Sequence, residues 1–283
     1  SDISQFQNYL NTYSPIQSKY NEIQNYIANS YLVNQDYRGA IEVMKNIKNP
    51  SPYEIVNFQK ATFLRGMQLI DLGAYRDAIP LLELSIKNGE FNNNLYNVTR
   101  FWLAEAYYRN NQFNESVEIN LDLTTRTQNF RASQEFSTAS YNLAYGYFKL
   151  GNFTQSEAWF KSYLNLPKNA TLYYSEAICR LGDSYYMQRK YEDAKNSYSL
   201  LSANNTSHGY YARFQNSIVT GLLGDDNTKS KMLIELAEAG EKRVSKTLYP
   251  QVLYELGRTL IQTGKSGEAT KYLTQLSEEY STT

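Results

Sequence analysis

Residues 181–198 read LGDSYYMQRKYEDAKNSY, and this stretch decides the fold. Leu181, Gly182 and Tyr185 fall on one face of a helix-period pattern. Three polar residues, Gln188, Arg189 and Lys190, interrupt it, and Tyr191, Ala194 and Tyr198 then open a second stripe at the same period. Two apolar stripes joined by a short polar turn predict a helix hairpin. Gly182 leaves room for the second backbone, and the aromatic three residues on fills the groove beside it.

The same pattern recurs without gaps along the chain. Equivalent segments start at Asn29, Met67, Glu105, Tyr145, Asp183, Ile218 and Arg258, so successive starts lie 38, 38, 40, 38, 35 and 40 residues apart. Small residues recur at the expected crossing: Ala28, Gly66, Ala104, Ala144, Gly182 and Gly257. A hairpin of this length cannot bury its apolar face alone, so neighbouring hairpins must stack and share a core. Units are expected to start near residues 21, 59, 97, 137, 175, 210 and 250. The stretch 1–20, with Ile3, Phe6, Leu10 and Tyr13 in helical register ahead of Pro15, reads as the second helix of a preceding unit and implies a longer array. The sixth unit is the least regular: Ser217, Thr220 and Lys229 stand where the others carry small, aromatic and Ala residues, which puts its hairpin geometry in question. Pro80 removes one helical hydrogen bond, so a mild kink is expected there.

Composition agrees with stacked helices. The chain has 283 residues, 42% of them hydrophobic and 20% charged, too apolar for disorder and too long for one ordinary core. Six Pro and fourteen Gly are too few for a sandwich with a turn every ten residues or so. Lys plus Arg and Asp plus Glu balance at 28 each, so no net field draws the chain to a phosphate backbone, and nucleic acid is not an expected partner. No run of eighteen apolar residues is present, so membrane insertion by this segment is not expected. The opening SDISQFQNYL has neither the basic nor the apolar region of a secretion signal.

Leu181, Gly182, Tyr185, Tyr191, Ala194 and Tyr198, and likewise Leu256, Gly257, Gly264, Ala269 and Leu273, resemble the tetratricopeptide repeat family nearly position for position. The resemblance covers residues 21 to 280. It implies an all-α, right-handed α-α superhelical solenoid of about seven helix hairpins. Unit lengths near 38 exceed the usual 34 of the family, and the extra residues are assigned to joining loops such as KNIKNPSPYE (45–54) and SANNTSHG (202–209).

The resemblance also implies a function. In the family the first helix of each unit lines a concave groove that holds a protein or peptide. By register the groove positions fall on Phe101, Glu105, Tyr108 and Arg109; on Tyr141, Tyr145, Phe148 and Lys149; on Cys179, Asp183, Tyr186 and Met187; and on Phe214, Ile218, Tyr254 and Arg258. Tyr and Phe there offer large contact areas at low entropic cost, and Arg109, Lys149 and Arg258 can orient a partner by charge. The same rings have a second reading, packing against the next first helix. Asn25 and Asn29 followed by Met67, Phe101 and Glu105 place an acid where a carboxylate clamp needs a cation, which disfavours recognition of that kind.

Catalysis has no residues behind it. Cys179 and His208, the single thiol and imidazole, sit on a predicted helix and in a predicted loop and read as a packed thiol and a solvated side chain. The segment GDDNTKSKMLIE from Gly224 alternates Asp225 and Asn227 as a calcium loop would, but Lys229 occupies a ligand position and the required glycine is missing; Asp226 or Asn227 reads as a helix N-cap instead. Asn-x-Ser/Thr triplets at Asn97, Asn114, Asn152, Asn169, Asn204 and Asn205 follow from Asn abundance. No cofactor or metal is expected. The alternative function, from the aromatic groove and a glycan-binding envelope family built on the same repeat, is saccharide binding. The likeness to bacterial cell-envelope repeat proteins implies a periplasmic or envelope location, with the cytoplasm as the alternative.

Overall fold

Each predicted hairpin turn closes on one residue in the left-handed region: Gln35, Gly73, Asn111, Gly151, Arg189, Gly224 and Gly264, with φ of 59, 72, 60, 75, 59, 92 and 78°. The hydrogen bonds repeat with it. At Arg189 the backbone N–H donates to Tyr186 O at 2.9 Å, and the next N–H, of Lys190, donates to Tyr185 O at 2.9 Å; at Gly151 the same pair runs to Phe148 O and Tyr147 O. This paired closure satisfies the last carbonyls of the first helix and reverses the chain within three residues.

The computed structural model describes residues 2–87, 89, 92–167 and 171–280, and among these there is no strand. Asn169 lies outside them. The chain divides into two compact units, residues 1–142 and 143–283. The first holds α1 (Asp2–Thr12), α2 (Gln17–Val33), α3 (Tyr37–Met44), α4 (Pro52–Asp71), α5 (Tyr75–Ile86), α6 (Asn93–Arg109), α7 (Phe113–Thr125), a 3-10 turn (Phe130–Ala132) and the start of α8 (Glu135–Lys149). The second holds the end of α8, then α9 (Phe153–Leu164), α10 (Tyr174–Met187), α11 (Tyr191–Ser199), α12 (Ser207–Leu222), α13 (Asp226–Ala239), the single turn α14 (Glu241–Val244), α15 (Tyr249–Gln262) and α16 (Ser266–Glu279).

Within each unit the helices pack on their sequence neighbours, as stacked hairpins require. In the N-terminal unit Ala28, Ile41, Met44, Ile47 and Ala61 form one apolar cluster, and Ile70, Ala78, Ile79, Leu82, Leu103, Ala106 and Tyr107 another. α1 lies on α2 through the stacked rings of Phe6 and Tyr26, 5.9 Å apart. In the C-terminal unit one cluster runs from Tyr210 and Phe214 through Leu233 and Leu236 to Val252, Leu253, Leu256 and Leu260.

The small crossing residues work by close approach. A Cβ on Gly182 would stand 2.5 Å from the Tyr198 ring, one on Gly66 2.7 Å from Leu82, and one on Gly257 2.5 Å from Leu273. Ala28, Ala104 and Ala144 are fully buried.

Three expectations change. The extra residues do not all go to loops: Ser51 and Glu54 form a reciprocal cap and Pro52 takes the first helical position, so α4 begins inside KNIKNPSPYE and runs for 20 residues. The irregular sixth unit is a regular hairpin, α12 and α13, turned at Gly224. Its second helix is capped by Asp225, one residue earlier than expected, whose carboxylate accepts from Thr228 N at 2.9 Å. Pro80 lies inside α5, the helix in which the sequence places it.

Candidate partner-binding surfaces

In the N-terminal unit the groove positions lie on α6 and on the start of α8. Phe101 is buried, edge-on to Trp102 at 5.2 Å, and Tyr141 is buried as well. The Glu105 carboxylate, only 6% exposed, accepts from Arg109 Nε at 2.7 Å and from Asn142 Nδ2, so it ties α6 to α8. Arg109 is exposed, with its guanidinium 5.9 Å over the half-buried Tyr108 ring, which meets Phe113 edge-on. Of these five positions, Tyr108 and Arg109 reach the surface.

In the C-terminal unit the positions assemble around a side chain that register did not select, Arg180. Its guanidinium lies 5.9 Å from the Phe148 ring centre and 5.6 Å from that of Tyr211, and Nη1 donates to Asp183 at 2.6 Å. Phe148 is 6.2 Å from Tyr145, and Lys149 Nζ lies 5.3 Å over the Tyr145 ring. Cations and rings therefore alternate from α8 across α10 to α12: Lys149, Tyr145, Phe148, Arg180, Tyr211. Beneath them the buried Asp183 accepts from Tyr198 Oη at 2.6 Å and Tyr211 Oη at 2.9 Å, joining α10 to α11 and α12. Burial alone would lower the Arg180 pKa, but the Asp183 charge outweighs it and holds the guanidinium charged; burial and the same carboxylate push the Tyr198 hydroxyl far above its ordinary range. Half-buried Tyr186 and exposed Met187 end the same first helix, with Tyr186 6.0 Å from Tyr191.

Farther along, Lys229 occupies the repeat's Ala position. Its stem passes Gly221 of α12, where an added Cβ would meet Lys229 Cδ at 2.5 Å, and its buried ammonium reaches Glu255 Oε1 on α15. Arg258 reaches the same oxygen at 2.6 Å, its side chain half exposed. Burial would raise the Glu255 pKa, yet hydrogen bonds from Arg258 and Lys229 bring it below its usual value. Arg180, Tyr211 and Glu255 do not stand out in the sequence, and Lys229 stands out there only as a misfit at the repeat's Ala position. A charged residue three before Asp183, and a Lys in an Ala slot with an acid a repeat later, were the available signals.

Cys179 Sγ faces the main-chain oxygen of His208 at 3.7 Å, so the thiol meets the peptide, and burial pushes its pKa up to about 12. Among the described residues no group of three His, Cys, Asp or Glu side chains could hold a metal ion, and no helix is long and apolar enough to cross a membrane.

Known proteins place this geometry in context. The family model described as a tetratricopeptide repeat matches residues 250–280, the α15–α16 hairpin. No curated protein matches the sequence significantly. Among solved structures, the apo form of RapI is 14% identical, with a TM-score of 0.62 over 93% of this chain and 76% of that one. The C-terminal part of a TPR repeat-containing protein from Cytophaga hutchinsonii is 18% identical, with a TM-score of 0.57 over 89% and 95%. A signal transduction ATPase with a tetratricopeptide repeat sensor, from Pyrococcus horikoshii, is 14% identical, with a TM-score of 0.58; this chain is covered over 92%, and spans 41% of that protein. The hairpin register, the repeated left-handed closures, the match over the last hairpin and these shared folds together show that the chain has the stacked-hairpin fold of tetratricopeptide-type repeats, with the family model itself matching the last hairpin.

Proposed function

We propose that the chain is a non-catalytic scaffold that holds a protein or peptide partner on the first-helix faces of its repeats. The observation that carries this reading is the ladder of Lys149, Tyr145, Phe148, Arg180 and Tyr211, fixed from below by Asp183. Its rings and cations are already ordered, so a partner docking there loses little side-chain entropy of the scaffold. Rigid aromatics with polar handles and an anchored guanidinium are the chemistry of interface hot spots. Cys179, buried and directed at a carbonyl, leaves the one thiol without an imidazole to activate it. The Pyrococcus relative, described as having a repeat sensor, supports the general role of such arrays in recognition.

The test is capture from a lysate of the source cell by wild-type protein and by the Tyr145→Ala/Phe148→Ala/Lys149→Ala variant, read by mass spectrometry and checked for folding by circular dichroism. Specific partners captured by the wild type and lost from the folded variant are expected. Equal capture by both, or turnover of a substrate by the purified protein, sinks the reading. A periplasmic or envelope location belongs to the same proposal, and fractionation of cells expressing the full gene tests it.

A further inference from the structure

Between α13 and α15 the chain makes a single helical turn, α14, bracketed by two residues at positive φ. Gly240 lies at φ 79° and ψ 163°, and Ser245 at φ 114° and ψ 152°. Glycine enters that region freely, but a residue with a Cβ is strained there and stays only where its surroundings force it. Ser245 is held from every side. Its N–H donates to Glu241 O at 2.9 Å, its carbonyl accepts from Tyr249 N at 2.9 Å, and its hydroxyl accepts from Leu248 N at 3.3 Å.

Few side chains fasten this segment to the helices around it. Val244, 1% exposed, is the residue of α14 that joins the apolar cluster of Leu233, Leu236 and Leu248. Lys242, Arg243, Lys246 and Thr247 are exposed. A second tie comes from the end of α16: Tyr280 Oη donates to Glu241, with the ring edge-on to Tyr249 at 6.5 Å. Tyr280 also lines the open cleft of about 580 Å³ between α12, α15 and α16, so one side chain serves both the fastening and the cleft wall.

Burial of one valine and one side-chain hydrogen bond favour the closed segment. Strain at Ser245 and the ordering of the segment oppose it. The neighbouring helices are held by whole buried faces, through Leu233 and Leu236 on α13 and through Leu253, Leu256 and Leu260 on α15. Segments held so unequally open separately.

We propose that residues 240–248 form a strained strap that opens as a unit over folded helices, hinged at Gly240 and Ser245, with Tyr280 as its catch. Opening frees Tyr280 from Glu241 and thereby alters the cleft wall. The device stands apart from the scaffold reading and operates without a partner.

Native-state amide exchange, followed by NMR at low denaturant, reads the opening. The N–H groups of Val244 and Ser245 donate to Gly240 O and Glu241 O while the strap is shut, and those of Leu256 and Leu260 in α15 report unfolding of the whole unit. Val244 and Ser245 are expected to exchange together, faster than α15 and with a shallow denaturant dependence, because their opening exposes little surface. Ser245→Gly relieves the strain and should slow that exchange about threefold to tenfold. Tyr280→Phe removes the catch and should speed it about fivefold. Ser245→Ala keeps the strain and should not slow it. Exchange of Val244 and Ser245 with the denaturant dependence of α15 overturns the proposal, because the strap then opens only with the whole unit. Failure of Ser245→Gly to slow exchange, or of Tyr280→Phe to speed it, overturns the proposal as well.

Discussion

Arg189 is a long side chain held in the left-handed region at a hairpin closure where other repeats carry glycine, and its replacement tests the turn mechanics directly. It holds φ at 59° with its side chain in solvent. The left-handed region costs a non-glycine residue about 1–2 kcal/mol, whereas glycine costs about 0.5–1 kcal/mol through the freedom it adds to the unfolded chain. Arg189→Gly should therefore stabilise the C-terminal unit by about 0.5–1 kcal/mol, the difference between those terms. Gly151, at φ 75° in an equivalent turn, supplies the mirror experiment: an added Cβ there meets nothing within 4 Å, so Gly151→Ala carries backbone strain without a clash and should destabilise by about the same amount. Arg189→Ala, which keeps the strain and removes the side chain, should be nearly neutral. Guanidinium unfolding followed by circular dichroism measures all three, with amide exchange in α10 and α11 localising the first. Opposite signs for Arg189→Gly and Gly151→Ala are required. If both shift stability the same way, or if Arg189→Ala reproduces the glycine gain, the closure is not set by backbone conformation and the reasoning fails.

Gly182→Ala places a methyl 2.5 Å from the ring of Tyr198, which is fully enclosed, and should cost about 1–3 kcal/mol in thermal or denaturant unfolding, whereas Gly267→Ala, with open space around its Cβ, should cost nothing. Glu255→Ala strands the buried Lys229 ammonium and should cost about 3–5 kcal/mol; Lys229→Ala leaves Glu255 with Arg258 and restores the repeat's own Ala, so its cost should be about 1 kcal/mol, and the double variant should be more stable than Glu255→Ala alone. At Glu157 burial alone would raise the carboxyl pKa, but hydrogen bonds from Lys161, Lys190 and Gln188 hold it at about 2 against 4.5 when free. The folded state thus binds fewer protons, so this contribution is present above pH 4.5 and disappears as pH falls from there toward 2. Both lysines are about half exposed, so the discounted size is about 1 kcal/mol, and Glu157→Gln should flatten that part of the stability-against-pH curve.

The hairpins were legible because their determinants are local. Period, crossing glycines and turn residues lie within eighteen positions, and each acts through backbone geometry that a single sequence exposes. Gln35 and Arg189 could be placed in turns only because glycines hold the same place elsewhere in the register. The loop assignment failed at Ser51–Pro52, where a cap and a helix-starting proline lie inside a stretch that composition reads as loop. The surfaces were harder to read. Register says which way a first helix points, but the same direction also meets the next first helix, so Asp183 became a junction for Tyr198 and Tyr211, and Glu105 was tied to Asn142. Lys229 looked like a defect because its counter-charge, Glu255, lies a helix and a turn away and becomes its neighbour only after stacking.

That lysine makes the sixth and seventh hairpins a matched pair. Most hairpins in such an array present interchangeable greasy edges, which is what lets repeats be duplicated, dropped or shuffled. A copy of the sixth moved elsewhere would carry a bare ammonium into a dry seam, and the seventh without it would meet its new neighbour with a carboxylate lacking half its support. Rearrangement of this part of the chain is confined to moves that keep the two together, as a key travels with its lock.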